Sequence, residues 1–355
     1  HLRFPEFSGE WENTELQYIA PNICSGKDKP TSNGTVALYG STGIIGMTRL
    51  ASYNEEIVLV ARVGANAGQL QITTIPCGVT DNTLIINAKE WNRYIYYYLQ
   101  HYNLNRLVFG SGQPLITGSM LKKLKIIYGE ESERNKIVNL LCLLDERIAT
   151  QNKIIEDLKK LKCAIIEKLY TEIQGEEYSY GQLLEIVNER NKQMGYSNIL
   201  SASQEKGMVN REDLNLDIQF EHNNISTYKI VREGDYVIHL RSFQGGFAFS
   251  DKLGVCSPAY TILRPNRLLE FGYLSYYFMS QRFIKSLIIV TYGIRDGRSI
   301  NVEEWLNMKT VIPSKEHQLH ILKVLRSIEG KIKNEETYAT CLSNQKQYLL
   351  QQMFI

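Results

Sequence analysis

Between residues 133 and 170 the apolar positions Ile137, Leu141, Leu144, Ile148, Ile155, Leu158, Ile165 and Leu169 recur in a rhythm of threes and fours. Only Gln151 and Lys162 interrupt the stripe, which is the pattern of a heptad seam. No Pro or Gly falls inside it, and good helix formers dominate. The segment therefore predicts one helix of about 57 Å, from about 38 residues at 1.5 Å each. A stripe this narrow requires a partner helix.

The same chain supplies one. At an offset of 184 positions (Leu144 to Ile328) the pattern returns without a gap as Ile321, Leu325, Ile328, Ile332, Ala339, Leu342, Leu349 and Met353. The polar exceptions return too: Glu335 stands for Gln151, and Lys346 for Lys162. Asp145 and Arg147 become Glu329 and Lys331, and Leu169-Tyr170 becomes Met353-Phe354. Repetition of the exceptions is harder to obtain by chance than repetition of leucines, and it marks an internal duplication.

The segments before each helix also match. Short β-branched runs bounded by Gly and Asn predict strands at Val36 to Tyr39, Ile57 to Arg62, Gln69 to Thr74 and Thr83 to Ile86. A helix is expected at Trp91 to His101, and a short one at Glu15 to Ile19. In the second half, strands are expected within Tyr228 to Arg241 around a Gly234-Asp235 turn, and at Phe247 to Ser250 and Ala259 to Leu263. Tyr273 to Phe278 (YLSYYF) answers Tyr94 to Leu99 (YIYYYL). The fold class is thus α+β: two similar globular domains, 1–130 and 173–313, each followed by a long helix, 131–172 and 314–355. The two helices are expected to pair as an antiparallel coiled coil. Gln151 and Glu335, near their helix centres, would then approach a pseudo-two-fold axis and help to fix register.

Composition narrows the picture only modestly. At 355 residues and 43% hydrophobic content the chain can bury cores in two or more domains. A formal charge of +2 does not announce a nucleic-acid partner. No apolar run is long enough to span a membrane. Cys24, Cys77, Cys142, Cys163, Cys256 and Cys341 are scattered without a CxxC, as expected of buried thiols in a reduced, cytoplasmic protein. No signal peptide is visible, and an opening on His1 rather than Met implies residues upstream.

Several chemical motifs fail on context. Gly40-Ser-Thr-Gly43-Ile-Ile-Gly46 follows a strand, but a dinucleotide fingerprint needs a helix of a dozen residues next and an acid after the second strand. Here Met47 to Asn54 is short, and Arg62 stands where the acid would be. These glycines read better as a loop that approaches a ligand closely. His317 and His320 have a chelating spacing but no third ligand nearby, so a solvated face is the expectation. No methyltransferase motif, Walker loop, HExxH or nuclease-type acidic cluster occurs. What remains are polar glycine loops: 61–69 and 110–113 in the first domain, 240–246 and 292–299 in the second. Arg suits guanine, Asn and Gln suit adenine, and Ser, Thr and backbone amides hold phosphates. Candidate DNA-binding residues are accordingly Ser41, Thr42, Arg62, Asn66 and Gln113, then Arg241, Gln244, Arg295 and Arg298.

At these residues the chain resembles the DNA-specificity (S) subunits of Type I restriction-modification systems. The likeness covers essentially the whole length. It is carried by Leu2 to Phe7 with Gly9-Glu10-Trp11, by Tyr39 to Gly46, by Ala61 to Gly68, and by Gly78 to Ile86. The helix-start pattern, a proline followed shortly by Glu-Gln, is partly kept in the second copy as Pro313-Ser-Lys-Glu316-His-Gln318, while Gly129 and Arg134 replace its Pro and Gln in the first. The resemblance implies two target-recognition domains that read the halves of a split site in double-stranded DNA. It implies helices that act as spacer and as docking platform for two modification (methyltransferase) subunits, with restriction subunits where the system cleaves. The chain itself would be non-catalytic and without cofactor; S-adenosylmethionine and adenine methylation would belong to the partners. Residues 1–129 hold 11 Lys/Arg against 9 Asp/Glu, so the chain alone is expected to bind DNA weakly. The competing readings are a specificity subunit of another multi-subunit restriction system, and a coiled-coil adaptor with no sequence readout.

Overall fold

The computed structural model describes residues 2–73, 76–107, 114–203, 206–214, 222–239, 246–292 and 299–354. Both long helices are present, at Glu131–Thr171 and Lys315–Met353, of 41 and 39 residues. The chain forms two compact units, His1–Lys153 with Glu336–Ile355, and Ile154–Glu335. Each helix therefore gives one half of its length to each unit.

In the first unit an antiparallel four-stranded sheet runs in the order Cys24–Ser25, Thr83–Ile86, Val58–Ala61, Leu70–Ile72. A second sheet has Val36–Gly40 between Gly43–Thr48 and Cys77–Val79. Strand Glu12–Glu15 pairs with Lys125–Tyr128, which leads into the first long helix. The second unit repeats the plan. Leu184–Val187, Thr261–Pro265, Tyr236–Ile238 and Phe247–Phe249 form a four-stranded sheet in the corresponding order, and Glu176–Ser179 pairs with Lys309–Ile312. The duplication read from the helices thus extends to strand order.

The tyrosine helices join sheet to long helix in both units. Asn92–Tyr102 buries Tyr94, Tyr97, Tyr98 and Leu99 in one core with Ile137, Leu141 and Leu144 from the first long helix and Leu350, Met353 and Phe354 from the second. In the second unit Tyr273, Leu274 and Tyr276 share a core with Ile166 and Tyr170, and with Ile321, Leu322 and Leu325. Phe354 lies 5.5 and 5.6 Å from the rings of Tyr94 and Tyr98, and Tyr170 lies 5.5 and 5.3 Å from those of Tyr273 and Tyr277.

Charge repeats with the aromatics. In the first unit Lys346 pairs with Asp145 at 2.6 Å, the Tyr97 hydroxyl donates to the same carboxylate at 2.8 Å, and the ammonium sits 5.4 Å from the Tyr97 ring centre. In the second, Lys162 pairs with Glu329 at 2.6 Å, the Tyr276 hydroxyl donates at 2.6 Å, and the ammonium sits 5.4 Å from that ring. Burial, reinforced by the carboxylate, holds both phenols well above the ordinary tyrosine range. The two lysines that looked like interruptions of an apolar seam are therefore each one corner of a Lys–carboxylate–Tyr cluster. As numbering rises from Asp145 to Arg147 on the first helix, the contacts fall from Lys346 to Tyr338 on the second. That is the sense of an antiparallel pair.

The seam needs one correction. Ile148, Leu158, Ile165, Ile328 and Leu349 are only half-buried, while Ile166 and Leu350 are buried instead. Near its ends each helix meets a globular core as well as a partner helix, and a core-facing stripe is wider than an a/d seam. The two helix starts also differ. Gln318 is buried and closes the second start, donating to the carbonyls of Leu268 and Pro313 and accepting from the Glu270 amide. In its place Arg134 lays its guanidinium 3.5 Å from the Trp91 ring centre. Beside it the fully buried Glu133 takes a bidentate pair from Arg3 at 2.7 and 2.8 Å and the Trp11 indole N–H at 3.1 Å.

His101 gives this unit a pH dependence. Its Nδ1 donates to the Leu350 carbonyl at 2.8 Å, and burial lowers its pKa below the usual 6.5. The unfolded chain then takes up the proton first as pH falls. The first unit should hold its stability above pH 6.5 and lose part of it as pH drops from there through the lower, folded-state value. Urea midpoints between pH 8 and pH 5 would show the loss, and His101→Gln should flatten that part of the curve.

Candidate nucleic-acid interface

The glycine run 40–46 is a β-hairpin, which corrects its reading as a loop. Gly40 and Gly43 face each other across a two-residue tip, Ser41-Thr42, and Gly43 takes φ +122°, where a side chain would be strained. The register slips between Leu38 and Tyr39, leaving Ile45 as the extra residue of a bulge. Gln71 fastens the tip by donating to the carbonyls of Gly40 and Ser41 at 2.9 and 3.0 Å. Ser41 is half-buried and Thr42 is exposed.

Gln71 also connects the hairpin to the other candidates. It lies on strand Leu70–Ile72, which pairs with Val58–Ala61, and Arg62 follows directly. Arg62 is half-buried and donates from Nη1 to the Ser25 hydroxyl at 3.3 Å, while its Nε is buried without a partner among the described residues. Its amide donates to Asn82 and its carbonyl accepts from Ile116, so backbone and side chain both tie neighbouring segments together. Asn66 is exposed at the end of the turn Gly64–Asn66. With Gln69, Gln100, Asn103, Asn105 and Gln347 it lines a cleft of about 470 Å³ whose walls are rich in carboxamides.

Gln113, Arg241, Gln244, Arg295 and Arg298 lie outside the described residues. The segments around them are nevertheless clear. The Gly64 amide donates to the Pro114 carbonyl, placing residue 114 beside the Arg62–Asn66 turn. His239 donates to Gly246 across the base of 240–245, and Thr291-Tyr292 pairs with Ser299-Ile300 across the base of 293–298. His317 and His320 are exposed, and no group of three or more metal-binding side chains occurs among the described residues. No disulfide forms among the described residues; burial pushes the Cys256 thiol up to about 12. No helix among the described residues is long and apolar enough to cross a membrane.

Two similar α+β units, each with a four-stranded sheet of corresponding order and each built around halves of two long helices, define a duplicated scaffold. Comparison with known proteins agrees. Residues 3–160 match the family described as Type I restriction modification DNA specificity domain. The Type I restriction enzyme MjaVIII specificity subunit of Methanocaldococcus jannaschii is 25% identical over 320 residues, which span 79% of this chain and 73% of that protein. Among solved structures, the S subunit of a Type I restriction-modification system from M. genitalium has a similar fold, at a TM-score of 0.60 and 15% identity, covering 98% of this chain and 96% of that one. A chain from a structure of the assembly and conformational transition of a type I R-M system matches at a TM-score of 0.61 and 14% identity, over 98% of each chain. Residues 3–160 are thus similar to the Type I restriction modification DNA specificity domain, and the fold of the chain is that of the S subunits it resembles.

Proposed function

We propose that this chain is the sequence-reading subunit of a Type I restriction-modification complex. Each unit reads one half of a bipartite site in double-stranded DNA. The long helices pair as an antiparallel coiled coil, hold the readers apart and dock two modification subunits, which bind S-adenosylmethionine and methylate adenine. Restriction subunits join where the system cleaves. The observation that carries this reading is the duplication: two units with corresponding strand order, each ending in one long helix. A helix of 41 residues spans about 61 Å, enough to separate modules by the roughly 34–36 Å of one DNA turn. Arg62, as held here, suits a loop-stabilising or phosphate-facing role, whereas Asn66 and Thr42 are free to reach outward.

The test is an exchange. Residues 1–130 are replaced by the matching domain of a specificity subunit of different specificity, the complex is expressed in cells, and methylated adenines are sequenced. One half of the methylated site should change and the other half and the spacer should stay. An unchanged site, or a change in both halves, overturns the reading.

A further inference from the structure

The hairpin Val36–Thr48 carries an apolar surface that nothing in its own unit requires. Ile44, Ile45, Met47 and Leu50 are 56%, 53%, 48% and 78% exposed. Strand Gly43–Thr48 lies at the edge of its sheet, and in a regular strand Ile44 and Ile45 would point to opposite faces. Here Ile45 is the extra residue of a bulge: it and Ile44 are both exposed, and Ile45 lies so close over Gly40 that a Cβ there would meet its side chain at 2.9 Å. The tip is held rigid by Gln71. This is a fixed apolar prow, whereas isolated exposed leucines need no explanation.

Its surroundings are cationic. Segment 27–31 runs beside the hairpin, with the Thr31 amide donating to the Met47 carbonyl and Pro30 packed 3.8 Å from where a Cβ on Gly46 would stand. That places exposed Lys27 and Lys29 next to the strand, and exposed Arg49 follows it directly. None of the three has an ion-pair partner among the described residues. The nearby acid, Asp28, is occupied by the Val79 amide and the Ser52 hydroxyl. In a unit whose charges nearly balance, three exposed cations without ion-pair partners among the described residues lie on the segments that flank strand Gly43–Thr48, which fits a polyanion with apolar features between its phosphates.

We propose that the hairpin Val36–Thr48 enters the major groove of the half-site read by the first unit, where Ile44 and Ile45 pack on the 5-methyl groups of thymine. Lys27, Lys29 and Arg49 take the flanking phosphates. A two-stranded β-ribbon is of a size the major groove admits, and the thymine methyl is the one apolar mark displayed there. Opposite it a hydroxyl or carboxamide reader gains nothing, but an isoleucine does. The inference rests on the sequence-reading function proposed above and assigns part of the readout to aliphatic side chains.

The experiment uses the chain assembled with its modification subunits, on duplexes carrying the methylated site found by sequencing. Deoxyuridine replaces each thymine in turn, removing only the 5-methyl. For the wild type, substitution at one or two positions of the first half-site should weaken binding about four-fold per methyl lost. The Ile44→Ala/Ile45→Ala variant should bind the thymine duplex more weakly and no longer distinguish uracil at those positions, while keeping its discrimination in the second half-site. Equal uracil sensitivity in variant and wild type overturns the proposal while leaving the sequence-reading function standing; absence of any directed methylation removes that function itself. If the variant fails to assemble with the modification subunits, or if the wild type self-associates through this edge and the variant does not, the surface is a protein interface and the proposal is wrong.

Discussion

Replacing Trp305 by Ala should unfold most of the second unit at temperatures where the first still protects its amides. Trp305 is fully buried, stacks on Tyr180 at 4.4 Å and 13°, and lies 5.0 Å from the Phe247 ring. Its helix, Val302–Asn307, immediately precedes the strand Lys309–Ile312 that leads into the second long helix. Truncation leaves a cavity lined by rings that cannot collapse into it, for a loss of about 3–5 kcal/mol. For a unit of this size that corresponds to a fall in melting temperature of about 6–20 °C. Trp305→Phe should cost much less, because it keeps most of the packing and removes an indole N–H that is buried without a partner among the described residues. Hydrogen exchange separates the outcomes: protection should fall across Tyr236–Ile238 and Phe247–Phe249 in the alanine variant and persist across Val58–Ala61 and Asn92–Tyr102. Equal losses in both regions would show that the two cores unfold as one.

The long helices and the duplication were legible because their signal is a period, and periods survive the loss of any single residue. Helix and strand positions such as Thr83–Ile86 and Asn92–Tyr102 followed from dense β-branched or aromatic runs. The strands Leu200–Ser203, Gly207–Asn210 and Gly254–Cys256 carry too much Ser, Ala and Gly to stand out. The hairpin strand Gly43–Thr48 was hidden for a different reason. Its glycines look like a loop, and the bulge breaks the alternation that would have exposed it as a strand. Its apolar residues also face outward, against the rule by which hydrophobic runs are read as core. Glu133 looked like one more charge at a helix start; only the fold brings Arg3 and Trp11 to it across more than a hundred residues. Of the candidate site, residue types and the loops that bear them could be read in advance. Which of them are tied down, as Arg62 is by Ser25, could not, because that depends on partners distant in sequence.

Reversing Lys162 and Lys346 to Glu together should disrupt the helix pairing in both units at once. Each change sets a second carboxylate beside Glu329 or Asp145 in a site where the lysine side chain is only 15% or 14% exposed. A unit charge pair at about 4 Å is worth about 4 kcal/mol at the effective dielectric near a protein surface. The carboxylates are 43% and 36% exposed, so solvent and salt screen part of that, and a loss on the order of 2–4 kcal/mol per site is expected. Adding Asp145→Lys and Glu329→Lys restores opposite charges with the ends exchanged. Tyr97 and Tyr276 can follow, since a phenol hydroxyl accepts from an ammonium as readily as it donates to a carboxylate. The quadruple variant should therefore recover most of the stability lost by the double variant, measured by denaturant midpoint at low salt, with a smaller gap between the two at 1 M salt. No recovery would mean that the pairs are incidental and that register rests elsewhere, with buried Gln151 the next residue to test. Recovery assigns the alignment of the helices to two charge pairs related by the duplication. On the first helix Asp145 and Lys162 stand on either side of Gln151, and a slip of one turn would break both pairs together.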